Sequence, residues 1–173
     1  MTITRPEKNE YAEFYVNYIS LVEEADVVSA LQNQSSEMQK TLAEISAAEK
    51  ENFRYAEGKW SVKELLGHII DGERIFSYRA LRISRGDQTP LAAFEENSYV
   101  ANSNFGNSNL ADLIEEFSLL RASNVLLFKN LTDEAWLRRG TASEAAVSVR
   151  ALAFIMVGHV RHHENILRER YSV

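Results

Sequence analysis

Apolar residues recur along this chain at intervals of three and four, the spacing of helices buried on one side. No run alternates apolar and polar residues well enough to predict a strand. After Pro6, "EYAEFYVNYISLV" places Tyr11, Phe14, Tyr15, Tyr18 and Ile19 on one side of a first helix. A second is expected from Asp26 to Ala47, with Val27, Ala30, Leu31, Met38, Leu42 and Ile45 inward. Ser61 followed by Glu64 forms a capping box, so a third begins at "SVKELL" and stops near Gly86. A fourth covers about Asn109 to Asn130, Thr132 caps the short turn "TDEAW", and the last runs from about Ser148 to Tyr171. Helices of these lengths, without strands, predict an all-α helix bundle.

The segment from Gly86 to Asn109, "GDQTPLAAFEENSYVANSNFGNSN", is too rich in Asn, Ser and Gly for a long helix. It reads as a surface crossover pinned by Leu91, Phe94, Tyr99 and Phe105. The sharper alternative is a lid, in which case Phe94, Tyr99 or Phe105 should line a cavity at the active centre. No repeat and no linker divides the chain, so residues 1–173 are expected to form one domain.

Composition narrows the function. A 45% hydrophobic and 25% charged content is that of a soluble globular protein, and no apolar run approaches a membrane span. The N-terminus lacks the features of a signal peptide. Cysteine is absent, which excludes disulfides and thiolate ligands and fits a cytoplasmic protein. The net charge of −6 argues against nucleic-acid binding. Arg74, Arg82 and Arg85 form a local basic stripe, read as a solvated face paired with nearby acids. No Ser-His-Asp arrangement, phosphate-cradling glycine loop or dinucleotide motif is present.

Three of the four histidines lie in "GHVRHHENILRERY", residues 158–171. In the last helix Leu152, Ile155, Met156, Ile166 and Leu167 define the apolar stripe; His159 and His163 fall in its middle and His162 at its edge. Residues four apart share a face, so His159 and His163 can offer two imidazoles to one point, as in helical H-x-x-x-H zinc motifs. His68, beside Gly72, sits at the margin of the stripe formed by Leu65, Ile69, Phe76, Ala80 and Ile83 in the third helix. A lone histidine there reads as a hydrogen-bonded core residue. The pair is different, because neutral imidazoles are costly to bury unless each nitrogen has a partner, and a divalent cation supplies one. If the third and last helices pack together, the three rings should reach a common point about 2.0–2.2 Å from one nitrogen of each. Asp71 and Glu73 are the candidate catalytic acids. Glu73 projects into an apolar stripe and reads equally as a buried pair with an arginine of a neighbouring helix. Glu164 points away from the histidine face and is expected in solvent.

The stretches "YAEGKWSVKELLGHIIDGERIFSYRALRISRGD", "TPL", "LRRGTA" and "VSVRALAFIMVGHVRHHENILRERY" together resemble the DinB-like superfamily over essentially the whole chain. The resemblance implies a four-helix bundle of up-down-down-up type with a long crossover, binding a divalent metal, most often nickel or zinc. It implies His68, His159 and His163 as ligands, with His162 adjacent to the ligands and not one of them. Many members carry Gln three residues after the last ligand; here the position is Ile166, which removes a polar role there. The resemblance also implies a small-molecule substrate, such as a low-molecular-weight thiol of the bacillithiol or mycothiol kind, and a homodimer, for which the aromatic N-terminal segment offers a surface.

Three protein ligands leave coordination positions open, which is the mark of a catalytic site. The reading that follows is a metal-dependent thiol S-transferase or hydrolase. The alternatives are a non-catalytic metal- or ligand-binding stress-response protein, and a bundle whose metal mainly stabilises the fold.

Overall fold

The computed structural model describes residues 3–171. Four long helices carry it: α2 (Val27–Ala47), α3 (Val62–Ser84), α5 (Leu110–Lys129) and α7 (Val149–Arg170), with α1 (Val16–Ser20), α4 (Glu96–Ala101) and α6 (Asp133–Leu137) as short companions. Each long helix begins at a side chain that satisfies an otherwise orphaned backbone N–H: Asp26, Ser61, Asn109 and Ser148 all accept from the first turn. Ser61 and Glu64 complete the expected capping box, with the Ser61 N–H donating to Glu64 at 2.7 Å. The starts and stops of all four agree with the expected boundaries to within a residue or two.

The core forms two clusters, one at each end of the bundle, and these fix helix direction. The first holds the N-terminal halves of α2 and α7 and the C-terminal halves of α3 and α5. The second holds the C-terminal halves of α2 and α7 and the N-terminal halves of α3 and α5. Along the chain the four therefore run up, down, down, up. Each contacts two others, in the cycle α2–α5–α3–α7, which leaves sequence neighbours α2 and α3 diagonal. The geometry makes α3 and α7, which carry the histidines, direct neighbours.

A buried polar network ties the four together. The Arg121 guanidinium, wholly buried on α5, donates to both oxygens of Glu73 on α3 at 2.8 and 2.9 Å. It also donates to Gln34 Oε1 on α2 at 2.8 Å, and Gln34 in turn donates to the Val157 carbonyl on α7 at 2.9 Å. Asn124 adds a donor to Glu73 at 2.9 Å. A buried charge pair satisfied on both sides specifies one register, and removing one partner strands the other.

Two expectations fail. The first helix is broken into 3-10 turns at Lys8–Glu10 and Glu13–Tyr15 before the five-residue α1. Tertiary contacts override periodicity there: Glu10 is held by Ser148 and Arg150 at the start of α7, and Arg5 donates to carbonyls of Ile19 and Val22. Strands do exist. β1 (Arg139–Ala142) and β2 (Ala145–Ser148) pair antiparallel, and Leu91 of the crossover bridges to Ala142. The hairpin was hidden because its strands have four residues each and its turn uses Ser143 and Glu144, both at positive φ, in place of the Asn-Gly that marks such turns.

The crossover is a pinned surface segment. Leu91 is held by backbone hydrogen bonds to Thr141 and Ser143, Phe94 packs on Arg79 and Tyr99, and Phe105 packs on the second core cluster. Tyr99 itself is exposed. Among the described residues no helix is long and apolar enough to cross a membrane.

Candidate metal centre

α7 is buried on nearly every side between Val149 and Val160, because α2, α3 and the N-terminal segment all pack on it. Two glycines permit that closeness. A Cβ at Gly158 would lie 2.0 Å from the Tyr18 carbonyl oxygen, so only glycine lets the N-terminal backbone rest there. A Cβ at Gly72 of α3 would lie 2.8 Å from Cε1 of His159, so Gly72 is the slot into which that ring fits.

The slot brings the predicted residues together. The Nε2 atoms of His68 and His159 are 3.0 Å apart, those of His68 and His163 3.1 Å, and those of His159 and His163 3.2 Å. All three rings are buried. Mutual hydrogen bonding does not account for this near-equilateral triangle. A neutral imidazole offers one N–H or one lone pair at Nε2, and each contact in the triangle needs one of each. A single central partner does account for it. Nitrogens at these separations admit a point about 2.0–2.1 Å from all three, which is the zinc–imidazole distance. The donor set of three neutral nitrogens fits a divalent cation.

The surroundings keep the rings neutral. Trp60 lies tilted over His68 with centroids 4.9 Å apart, while Tyr18 and Phe76 stand edge-on to His159 at 5.5 and 5.6 Å. Burial pushes the His68 ring down to about 4, with a smaller push from His162. Burial also holds His159 and His163 well below the ordinary imidazole range, aided by repulsion among the rings. Deprotonated nitrogens at neutral pH are what a metal requires. His163 Nδ1 is buried without a protein partner.

His162 stands outside the triangle, half-buried against Tyr18. Glu73, a candidate acid, is engaged by Arg121 and Asn124 as described. Asp71 is half-buried with its carboxyl raised by burial, near Arg74 and Glu116 and outside the histidine group. The basic stripe is paired in part, Arg74 with Glu116 and Arg82 with Asp87. Glu164 is a correction: it is buried, not solvated, with Oε1 unpartnered and its carboxyl pushed by burial up to about 7. α7 has a second packed flank there, near Arg161 and Arg168 and Glu37 of α2.

A cavity of about 230 Å³ borders His163 and is walled by Trp60, Leu65, Ile166 and Tyr171, with Lys59 and Asn97 as its polar edge. Phe94, Tyr99 and Phe105 do not line it, so the aromatic-lid expectation fails; the crossover contributes Asn97 instead. A neighbouring cleft of about 320 Å³ shares Trp60 and Asn97 and touches no histidine. The expected buried pair of Glu73 with an arginine of a neighbouring helix is present; that the arginine is Arg121, with Asn124 beside it, was not anticipated. They lie on the same stripe as Leu113, Phe117 and Phe128, so a cation on the buried face of α5 was a readable signal.

A four-helix bundle in this order, with three histidines converging from two of its helices, defines a class of bundle whose donor set fits a divalent ion. The chain belongs to the DinB superfamily, whose family model matches residues 25–167. Among the solved structures that share the fold are two relatives. One is YfiT from Bacillus subtilis, described as "a probable metal-dependent hydrolase with an unusual four-helix bundle topology"; it is 18% identical, with a TM-score of 0.68 over 96% of this chain and 93% of that one. The other is a mycothiol-dependent maleylpyruvate isomerase, 16% identical, with a TM-score of 0.65 over 86% of this chain and 62% of that one. Among curated proteins no sequence matches.

Proposed function

We propose that the chain is a metal-dependent enzyme acting on a small molecule, of the low-molecular-weight thiol S-transferase or hydrolase type, with nickel or zinc held by His68, His159 and His163. The observation that carries this reading is the triangle of Nε2 atoms 3.0–3.2 Å apart, aimed at one point and kept neutral by an aromatic shell. A divalent ion there would supply Lewis acidity, lowering the pKa of a water or thiol or polarising a carbonyl. The protein's own contributions are to hold three neutral donors on one side, to exclude water with Trp60, Tyr18 and Phe76, and to leave a cavity beside His163 for substrate. The solved relatives' printed descriptions, a hydrolase and a thiol-dependent isomerase, support this class of chemistry. The cysteine-free sequence supports a cytoplasmic setting, and exposed Phe14 supports a self-association surface.

One observation favours a non-catalytic metal-binding stress-response protein instead. Among the described residues no carboxylate joins the histidine group, so general-base help from Glu73 or Asp71 is not at hand.

The test is metal content per chain on protein purified without a histidine tag. Wild type should hold about one divalent ion. His163→Ala should abolish stoichiometric binding and His162→Ala should preserve it, because about 100° of helix separates the two rings. Circular dichroism should show all three folded. Retained metal in His163→Ala would refute the ligand assignment.

A further inference from the structure

The cavity beside His163 has a chemical character of its own. Its lining mixes apolar and aromatic side chains, Trp60, Leu65, Ile166, Tyr171 and Tyr55, with the polar groups of Lys59, Asn97 and His163. Among the described residues no carboxylate lines it, although the chain as a whole carries −6. One cation lines it and a second contacts its Tyr55 wall. Lys59 lines it directly and makes no ion pair among the described residues. Arg170 donates to the Tyr55 hydroxyl at 3.2 Å and lies over that ring, 5.4 Å from its centroid, again without an acidic partner among the described residues. Arg54, nearby, is neutralised by Glu64. With the histidines neutral, a divalent ion at their centre would add further positive charge on the inner side. Asn97 supplies a neutral polar side chain from the crossover.

A volume of about 230 Å³ lies below the roughly 300–1,000 Å³ of drug-sized pockets, so the occupant is small, on the order of ten non-hydrogen atoms. The aromatic and aliphatic part of the lining favours a planar or branched hydrocarbon body, and Lys59 favours an anionic group. Ile166, one turn beyond His163, matters most for the body: a polar residue there would break the apolar wall directly beside the histidine.

We infer that this cavity binds a small organic anion with an apolar body, an aryl or alkyl carboxylate, with Trp60 and Ile166 holding the body and Lys59 drawing the charge. This assignment rests on the metal-centre reading for its catalytic meaning, but not for its binding chemistry.

Calorimetry on the intact protein, metal-free and zinc-loaded, tests it with three probes: phenylacetate, its neutral isostere phenylacetamide, and acetate. Phenylacetate is expected to bind at least about tenfold more tightly than either of the others, since each lacks one of the two recognised features. Lys59→Glu should weaken phenylacetate about tenfold and leave phenylacetamide unchanged, and Ile166→Gln should weaken both aromatic probes. Neither substitution should alter zinc stoichiometry. Equal binding of phenylacetate and phenylacetamide overturns the anion assignment; acetate binding as tightly as phenylacetate overturns the apolar one. Zinc binding without probe discrimination overturns the inference and leaves the metal centre standing, whereas discrimination without zinc binding overturns the metal centre alone.

Discussion

A carboxylate buried among apolar neighbours is costly unless each oxygen is satisfied, and Glu10 shows how the cost is offset. Desolvation alone would raise its pKa, but hydrogen bonds from Arg150, Ser148 and the Glu7 backbone outweigh that and hold it down to about 2. Its pKa is thus lower in the folded than in the unfolded chain. The stabilisation is present above about pH 4.5 and is lost as pH falls through 2. Glu10→Gln should therefore cost about 1–3 kcal/mol at pH 7 and almost nothing at pH 2, read from urea unfolding at both values. An equal loss at both pH values would mean that packing and not charge matters at this position. Glu164 is the counter-case, buried and unpartnered at one oxygen. Its burial was not readable from helical phase, because phase says which way a side chain points and nothing about what packs there. His159 and His163 were legible for the opposite reason: imidazoles in the middle of an apolar stripe demand partners wherever they point, whereas His68, at a margin, reads on its own as a core residue and takes its role from the family resemblance.

Elements follow the same division. The four long helices were legible because capping residues and apolar periodicity agree at each, as at Ser61 with Glu64. The N-terminal segment and the hairpin were not, since both owe their shape to partners distant in sequence: Glu10 to Arg150, and Leu91 to Thr141. Contact between α3 and α7 likewise depends on a residue that looks unimportant in the sequence. Gly72 is mid-helix, where alanine would ordinarily add about 1 kcal/mol of helix stability. Here the added Cβ would sit 2.8 Å from the His159 ring. Gly72→Ala should leave helix content unchanged yet displace His159 and weaken zinc affinity by about tenfold or more, since a misplaced ligand loses coordination geometry. Competition against a chromogenic chelator measures this. Unchanged affinity would show that α3 and α7 can separate without opening the triangle.

At the scale of the whole molecule, the topology decides what a metal does for stability. The up-down-down-up order makes α3 and α7 neighbours although 64 residues separate the end of one from the start of the other. An ion bound by His68 from one helix and the histidine pair from the other would join the two core clusters near their boundary, where Phe76 and Val157 belong to one and Ile69 and Val160 to the other. The bundle does not depend on that staple to fold: the Leu, Ile and Phe side chains of both clusters each contribute about 1.5–3 kcal/mol on burial, and the Arg121 network links all four helices independently. Metal should therefore act as a ligand of the native state, not as a condition for it. With free zinc at about 100 times its dissociation constant the native state gains about 2.7 kcal/mol, provided the unfolded chain binds none. For a chain of this size that corresponds to a rise of about 5–10 °C in Tm, reversed by EDTA. Far-UV circular dichroism at 25 °C should not change on chelation, because the helices persist. Loss of helix on chelation would make the ion structural and favour the fold-stabilising alternative over catalysis. A Tm indifferent to zinc would show that the three nitrogens, for all their convergence, hold no ion in the folded protein.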